Sequence, residues 1–199
     1  MISLKQEIEI EFKNIVTKEE FDRLRSHFQL TEDQFVSQEN HYFDTPAFSL
    51  KDCGAALRIR SKKDQSVLTL KQPHQEGLLE THEALTNEQA KELRDGSAKI
   101  PSTIQQLITD LQVDSHALTY FGTLRTSRAE IPYKNGLLVL DHSFYLGAED
   151  YELEYEVTDA NEGAKYFEQL LTELDIKKKP TENKIRRFYK RKYTLMDGE

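Results

Sequence analysis

The sequence predicts an α+β protein built on an antiparallel β-sheet, sandwich or barrel, with helices mostly outside the strand runs. Three observations carry this reading. Charged and apolar residues alternate in several short runs, which is the period of a strand whose successive side chains point to opposite faces. Seven or eight such runs follow one another at short spacing, bounded by turn-forming residues. The stretches with helical spacing do not fall between each pair of strands, so a parallel βαβ sheet fits less well.

The first strand is "QEIEIEFK": Glu7, Glu9, Glu11 and Lys13 take one face, and Ile8, Ile10 and Phe12 take the other. A helix follows in "TKEEFDRLRSHF", where Thr17 and Glu20 have capping-box spacing and Phe21, Leu24 and Phe28 share a face. Strand patterns return at "NHYFDT", "AALRIRS", "VLTLKQP" and "LLETHEAL". Thr86 to Leu111 reads as two helical pieces, broken near Gly96 and Pro101. "ALTYFGTLRTSRAEIPY" and "GLLVLDHSFYL" are strands joined by a Lys134–Asn135–Gly136 hairpin turn, and "DYELEYEV" is the next strand. Helical spacing closes the chain, first over Ala164, Phe167, Leu170, Leu171 and Leu174, then over "TENKIRRFYKR".

The composition narrows the function. A chain of 199 residues can bury a substantial core and reads as one domain, 1–199, with no linker or repeat dividing it. The net charge of −8 argues against a general nucleic-acid binder, which would neutralise phosphates over a wide basic surface. The single Cys53 cannot form an internal disulfide and fits a reducing, cytoplasmic setting. No run approaches the roughly 20 apolar residues of a membrane span. The six histidines lack metal-ligand spacing, so scattered polar or capping roles are expected of them.

The charged strands hold the strongest signal. "YELEYEV" repeats the opening pattern, with Glu152, Glu154 and Glu156 on one face. Basic strands lie between the two acidic ones: Arg58 and Arg60 share a face, and Lys71 ends "VLTLK". Arg125 and Arg128 have odd separation and so point opposite ways. Asp141 is in phase with Leu137 and Val139. A half-solvated antiparallel sheet explains any one of these strands without a function. Yet a free surface usually mixes signs to gain cross-strand pairs, whereas these faces are segregated into acids and bases. Turned inward, they would line a cavity suited to a metal-bridged polyphosphate. Carboxylates are the hard ligands that Mg²⁺ and Mn²⁺ take, and Arg and Lys grip phosphate oxygens. Without cations, the acidic faces would repel one another.

The motif Glu9-x-Glu11-x-Lys13 resembles the ExExK signature of the CYTH superfamily, the triphosphate tunnel metalloenzymes. The resemblance continues in order through "YFDT" with Tyr42 and Asp44, "LRIR" with Arg58 and Arg60, and "LTLK" with Lys71. It extends through "TSR" with Arg128, "LLVLD" with Asp141, "YELEYEV" with Glu152 and Glu154, and "NKIRRFY" with Lys184. Within that superfamily the chain resembles the CYTH proteins of Gram-positive bacteria. The resemblance implies an eight-stranded antiparallel β-barrel forming a tunnel, helices outside it, and a small-molecule triphosphate substrate hydrolysed with Mg²⁺ or Mn²⁺. It implies Glu9, Glu11, Asp141, Glu152 and Glu154 as metal ligands. Lys13, Arg58, Arg60, Lys71, Arg128 and Lys184 would hold phosphates, and Tyr42 and Lys71 would stand near the scissile phosphate. No nucleic-acid or membrane partner is expected.

Some positions depart from the family pattern. Leu78 stands two residues before Glu80, where many members have Arg, which removes one expected phosphate contact. Glu7 and Glu156 extend the acidic runs and are expected in water near the tunnel mouths, with Arg125 at the surface. Two other functions use the same residues. A class IV-type adenylate cyclase would need base and ribose recognition that no residue here clearly supplies. A polyphosphate-binding module without turnover would gain nothing from inward acids that need metals.

Overall fold

The structure, a computed structural model, describes residues 4–196. Its eight strands are β1 (Lys5–Val16), β2 (Val36–Asp44), β3 (Ala56–Lys62), β4 (Gln65–His74), β5 (Gly77–Leu85), β6 (Thr119–Tyr133), β7 (Gly136–Tyr145) and β8 (Ala148–Val157). They form a closed antiparallel barrel in the order β1-β5-β4-β3-β2-β6-β7-β8. The helices are α1 (Lys18–His27), α2 (Ser49–Asp52), α3 (Asn87–Asp95), α4 (Ser102–Asp110), α5 (Ala160–Glu173) and α6 (Lys184–Met196). Each strand expected from alternation is present, in its expected order.

The chain divides into two compact units. The first holds residues 38–124 and the start of β1 through Ile8. Its strands β2 to β5 form antiparallel hairpins, with Tyr42 opposite Arg58, Arg58 opposite Thr69, Thr69 opposite His82 and Lys71 opposite Glu80. One face of these strands supplies Phe43, Leu57, Ile59, Leu68 and Leu70 to a core completed by Ala90 and Leu93 of α3 and Ile104 and Ile108 of α4. Strand alternation therefore leaves Tyr42, Arg58, Arg60, Lys71, Glu80 and His82 on the opposite face. Helix α3 starts at the Thr86–Gln89 capping box and stops at Gly96, whose φ of 74° is left-handed. This is the break that the sequence placed there.

The second unit holds residues 9–37 and 125 onward. In it β1 pairs with β8, β8 with β7 and β7 with β6. Leu138, Leu140, Leu153 and Tyr155 pack against Phe21 and Leu24 of α1 and Phe167, Leu170 and Leu171 of α5. Helix α1 begins on the expected capping box, with the Glu20 backbone N–H donating to Thr17 Oγ1 and the Thr17 N–H to Glu20. Gly136 opens β7 because a Cβ there would lie 2.4 Å from the carbonyl oxygen of Glu156.

Residues 177–183 run along β1 toward α6. The fully buried Asn14 donates its side-chain amide to the carbonyl of Lys177 at 3.1 Å and accepts from the N–H of Lys179 at 2.7 Å. The N–H of Ile15 donates to Thr181 Oγ1 at 2.7 Å. This lacing fixes where α6 begins, and hence where Lys184 and Arg187 reach.

Candidate functional site

In the second unit the strand register assembles an acidic centre. Asp141 lies opposite Glu152 on the β7–β8 ladder, and opposite Arg128 on the β6–β7 ladder. Arg128 donates from Nε and Nη2 to the two oxygens of Asp141 at 2.8 and 2.6 Å, and from Nη2 to Glu154 at 2.8 Å. Lys184, the first residue of α6, brings its ammonium to Asp141 at 2.8 Å and to Glu152 and Glu154 at 2.5 Å each. A lysine in the first turn runs against the helix dipole. Three buried carboxylates offset that cost. Arg187, one turn later, holds Asp150 at 2.9 Å and Glu152 at 2.5 Å.

The charges explain the titration of the centre. Four carboxyl groups (Asp141, Asp150, Glu152, Glu154) meet three cations (Arg128, Lys184, Arg187), so one negative charge is in excess. Burial raises Asp141, but Arg128 and Lys184 outweigh it and hold the carboxyl below its usual value. Burial likewise opposes Glu154, and Lys184 with Arg128 keeps it well below the ordinary carboxylate range. Glu152 takes the remaining strain: burial first, then the neighbouring Glu154, pushes it up to about 7 against the pull of Lys184. The sequence implied that these acids need cations. The chain supplies three of its own.

Glu11, Lys13 and Glu9 stand on one face of β1. Lys13 pairs with Glu11, donates to Asn183 Oδ1 at 2.7 Å, and lies opposite Glu154 in the β1–β8 register. Glu9 is half-buried. The second unit thus brings together Glu11, Lys13, Arg128, Asp141, Glu152, Glu154 and Lys184 from the expected set.

Glu9 also lies in the second unit, and the first unit holds Tyr42, Arg58, Arg60 and Lys71. Arg60 Nε donates to Asn40 Oδ1 at 3.0 Å, Lys71 pairs with Glu80, and Arg58 lies between Tyr42 and Thr69 on the ladders. Tyr42 is buried and stacked on Phe121, with ring centroids 6.1 Å apart and planes at 27°. Tyr42 and Lys71 sit on β2 and β4, with β3 between them, so roughly 10 Å of sheet separates their backbones. Asp44 accepts from the backbone N–H groups of Thr45, Leu50 and Lys51, and so builds the turn into α2. Arg125 is exposed over the Phe144 ring at 4.9 Å, in keeping with its expected surface role.

Several contacts escaped the sequence reading. Arg187 is three residues from Lys184 and shares its helix face, a spacing that could have marked it. Glu80 and His82 share the face of Lys71 through the β4–β5 register, which no local motif announces.

The Asp141, Glu152 and Glu154 oxygens converge on one ammonium nitrogen, which marks a point where three hard donors meet a cation. That donor set fits a divalent ion such as Mg²⁺ or Mn²⁺.

The CYTH domain family model matches residues 7–189. A protein of Bacillus subtilis (strain 168) named "Putative triphosphatase YjbK" is 50% identical over 189 residues, which cover 95% of this chain and 98% of that protein. A crystal structure described as "a putative adenylate cyclase" from Bacillus halodurans is 46% identical, with a TM-score of 0.89 over 92% of this chain and 98% of that one. A Hippeastrum protein, HpAC1, described as a "putative adenylyl cyclase" with a dominant triphosphatase activity, has the same fold at 24% identity. Its TM-score is 0.77 over 92% of this chain and 96% of that one. No described helix is long and apolar enough to cross a membrane.

Proposed function

Because the chain belongs to the CYTH family, we propose that it hydrolyses the terminal phosphoanhydride of a small-molecule triphosphate with the help of Mg²⁺ or Mn²⁺. One observation carries this reading: three buried carboxylates and two phosphate-compatible cations, Arg128 and Lys184, meet within hydrogen-bonding distance. A non-catalytic anion binder has no use for such acids. The 50% identity to a protein named for triphosphatase activity supports the same assignment. The family match spans both units, which supports one CYTH domain over 1–199, and the lone cysteine fits a cytoplasmic setting.

Glu9, Glu11, Asp141, Glu152 and Glu154 would hold the metal. Bound there, it would neutralise charge developing on the phosphate oxygens and lower the pKa of a coordinated water. The side chains do the rest. On the family resemblance, Lys13, Arg58, Arg60, Lys71, Arg128 and Lys184 would bind phosphate oxygens and align the triphosphate for in-line attack. Water adds to the terminal phosphorus, the bond to the bridging oxygen breaks, and the remaining diphosphate keeps that oxygen. Tyr42 and Lys71 are proposed near the scissile phosphate on the family resemblance. Lys184 would exchange the carboxylates for a phosphate oxygen as the ion enters, so Lys184→Gln is expected to bind Mn²⁺ more tightly yet turn over more slowly.

The test incubates pure protein with inorganic triphosphate, thiamine triphosphate or ATP, each with Mg²⁺ or Mn²⁺, and follows phosphate and cyclic AMP together. Metal-dependent phosphate release that Glu9→Gln abolishes supports the proposal, and the fastest substrate names the specificity. Cyclic AMP with diphosphate would move the chain to the cyclase reading. Binding without turnover would overturn both.

A further inference from the structure

We propose that Glu7, Glu80 and His82 form a second cation site, an imidazole-containing one for a transition-metal ion of the Zn²⁺ class. One donor atom from each of the three lies within 4.8 Å of the others. His82 Nε2 is 3.2 Å from Glu7 Oε1 and 3.3 Å from Glu80 Oε2. Each donor is also anchored from behind. Thr69 Oγ1, buried and opposite His82 on the ladder, holds the ring by Nδ1 at 3.0 Å. Lys71 engages Oε1 of Glu80, and Lys5 engages Oε2 of Glu7. His82 Nε2 and one oxygen from each carboxylate face a common point. Metal ligands are typically oriented this way, by partners on their far atoms.

A plain hydrogen bond explains the arrangement less well. A neutral imidazole has one N–H, and at Nε2 it would face two carboxylate oxygens at nearly equal distance. A cation between the three donors satisfies all of them. The nature of the ion follows from the donors. Imidazole with carboxylate suits Zn²⁺, Co²⁺ or Mn²⁺, whereas Mg²⁺ prefers an all-oxygen shell. This separates the site in chemistry from the all-carboxylate centre proposed for catalysis. Glu7 is exposed while Glu80 is buried, which gives an ion an entry side and a floor.

Zn²⁺ titration by calorimetry, with Co²⁺ visible absorption as a ligand-field readout, tests the proposal on the full chain in excess Mg²⁺. One equivalent should bind to the unmodified protein. His82→Gln and Glu7→Gln should each weaken binding by about tenfold or more. His142→Gln removes another histidine paired to an exposed glutamate (Glu149, at 2.8 Å) and should leave binding unchanged. Binding that survives His82→Gln, or that Glu152→Gln abolishes instead, would overturn it. Should a variant fail to fold, imidazole ¹⁵N spectra of the unmodified protein decide. A Zn²⁺-induced shift at His82 Nε2 supports the site, and shifts confined to other histidines reject it.

Discussion

In the second unit Arg128, Lys184 and Arg187 reach four carboxyl groups, and the atoms that join them are almost wholly buried. In the first unit Arg60 leans on the neutral amide of Asn40, and Lys71 on the single carboxylate of Glu80. The first arrangement is a closed electrostatic network, in which removing a cation leaves carboxylates stranded in low dielectric. In the second, each of these two contacts joins a basic side chain to one group rather than to several carboxylates. The contrast teaches that, in the proposed enzyme, one unit's charges serve stability and function together, while the other's can serve substrate binding at little cost to folding.

The sharpest way to break that comparison is Arg128→Met. Asp141 and Glu154 would lose a cation that Arg128 supplies through three hydrogen bonds. Removal of one partner from a buried ion pair destabilises by about 3–5 kcal/mol. Urea denaturation in metal-free buffer reads this directly. A loss below about 1 kcal/mol, the range of surface pairs, would mean that the network is not the electrostatic unit described.

Asn14 probes the network through the backbone. Asn14→Ala removes the hydrogen bonds to the N–H of Lys179 and the carbonyl of Lys177, which costs about 0.5–1.5 kcal/mol for each bond lost. It also frees the segment that leads into α6, so Lys184 should lose its fixed position. The expected signature is a fall in kcat on inorganic triphosphate that exceeds any rise in KM, together with the lower denaturation midpoint. Lower stability with unchanged kcat would show that α6 is held independently of this lacing.

These two tests also show how unevenly the molecule was legible. The strands were plain because helices bury one face of each hairpin, so apolar residues such as Leu68 and Leu70 or Leu138 and Leu140 must recur every second position. Thr17 and Glu20, and Gly96, announced helix ends by local chemistry. The family resemblance, rather than strand phase, grouped Asp141 with Glu152 and Glu154. What stayed hidden depends on register between strands. Lys71 meets Glu80, and Glu7 meets His82 from 75 residues away, through pairings that no spacing encodes. Asp44, within the family-like motif, gives both its oxygens to the backbone N–H groups of Leu50 and Lys51 in α2.

The pH dependence sets one residue of each unit against the other. His41 is buried, its Nδ1 on the Thr123 hydroxyl at 2.7 Å and its Nε2 facing Arg94 at 3.2 Å. Burial first, then the Arg94 charge, lowers its pKa from 6.5 to about 4. Across that window the unfolded chain carries the extra proton, so stability falls as pH drops. Glu152 acts in the opposite sense. Raised from 4.5 to about 7, it keeps its proton in the folded chain, so its contribution falls as pH rises through that window. Each slope is at most about 1.4 kcal/mol per pH unit, and between pH 4.5 and 6.5 the two oppose. Metal-free denaturation should therefore give a shallow profile for the unmodified protein. His41→Gln should leave stability falling with rising pH, and Glu152→Gln should leave it rising. Parallel profiles for the two variants would remove the opposition.

The smallest expected effect on folding is that of Arg60→Met, the counterpart of Arg128→Met in the first unit. Arg60 is partly exposed, its Nε donates to the neutral amide of Asn40, and methionine keeps the apolar stem packed. The denaturation free energy should fall by no more than about 1 kcal/mol. Triphosphate recognition should suffer far more, because a hydrogen bond to a charged group contributes about 1.5–3 kcal/mol, or roughly 10- to 150-fold in kcat/KM. That ratio is where the comparison between the units is most exposed. If Arg60→Met loses as much stability as Arg128→Met, the first unit also relies on its basic side chains to fold. If it loses neither stability nor kcat/KM, Arg60 does not touch the phosphates, and Arg58 is the remaining phosphate candidate on β3.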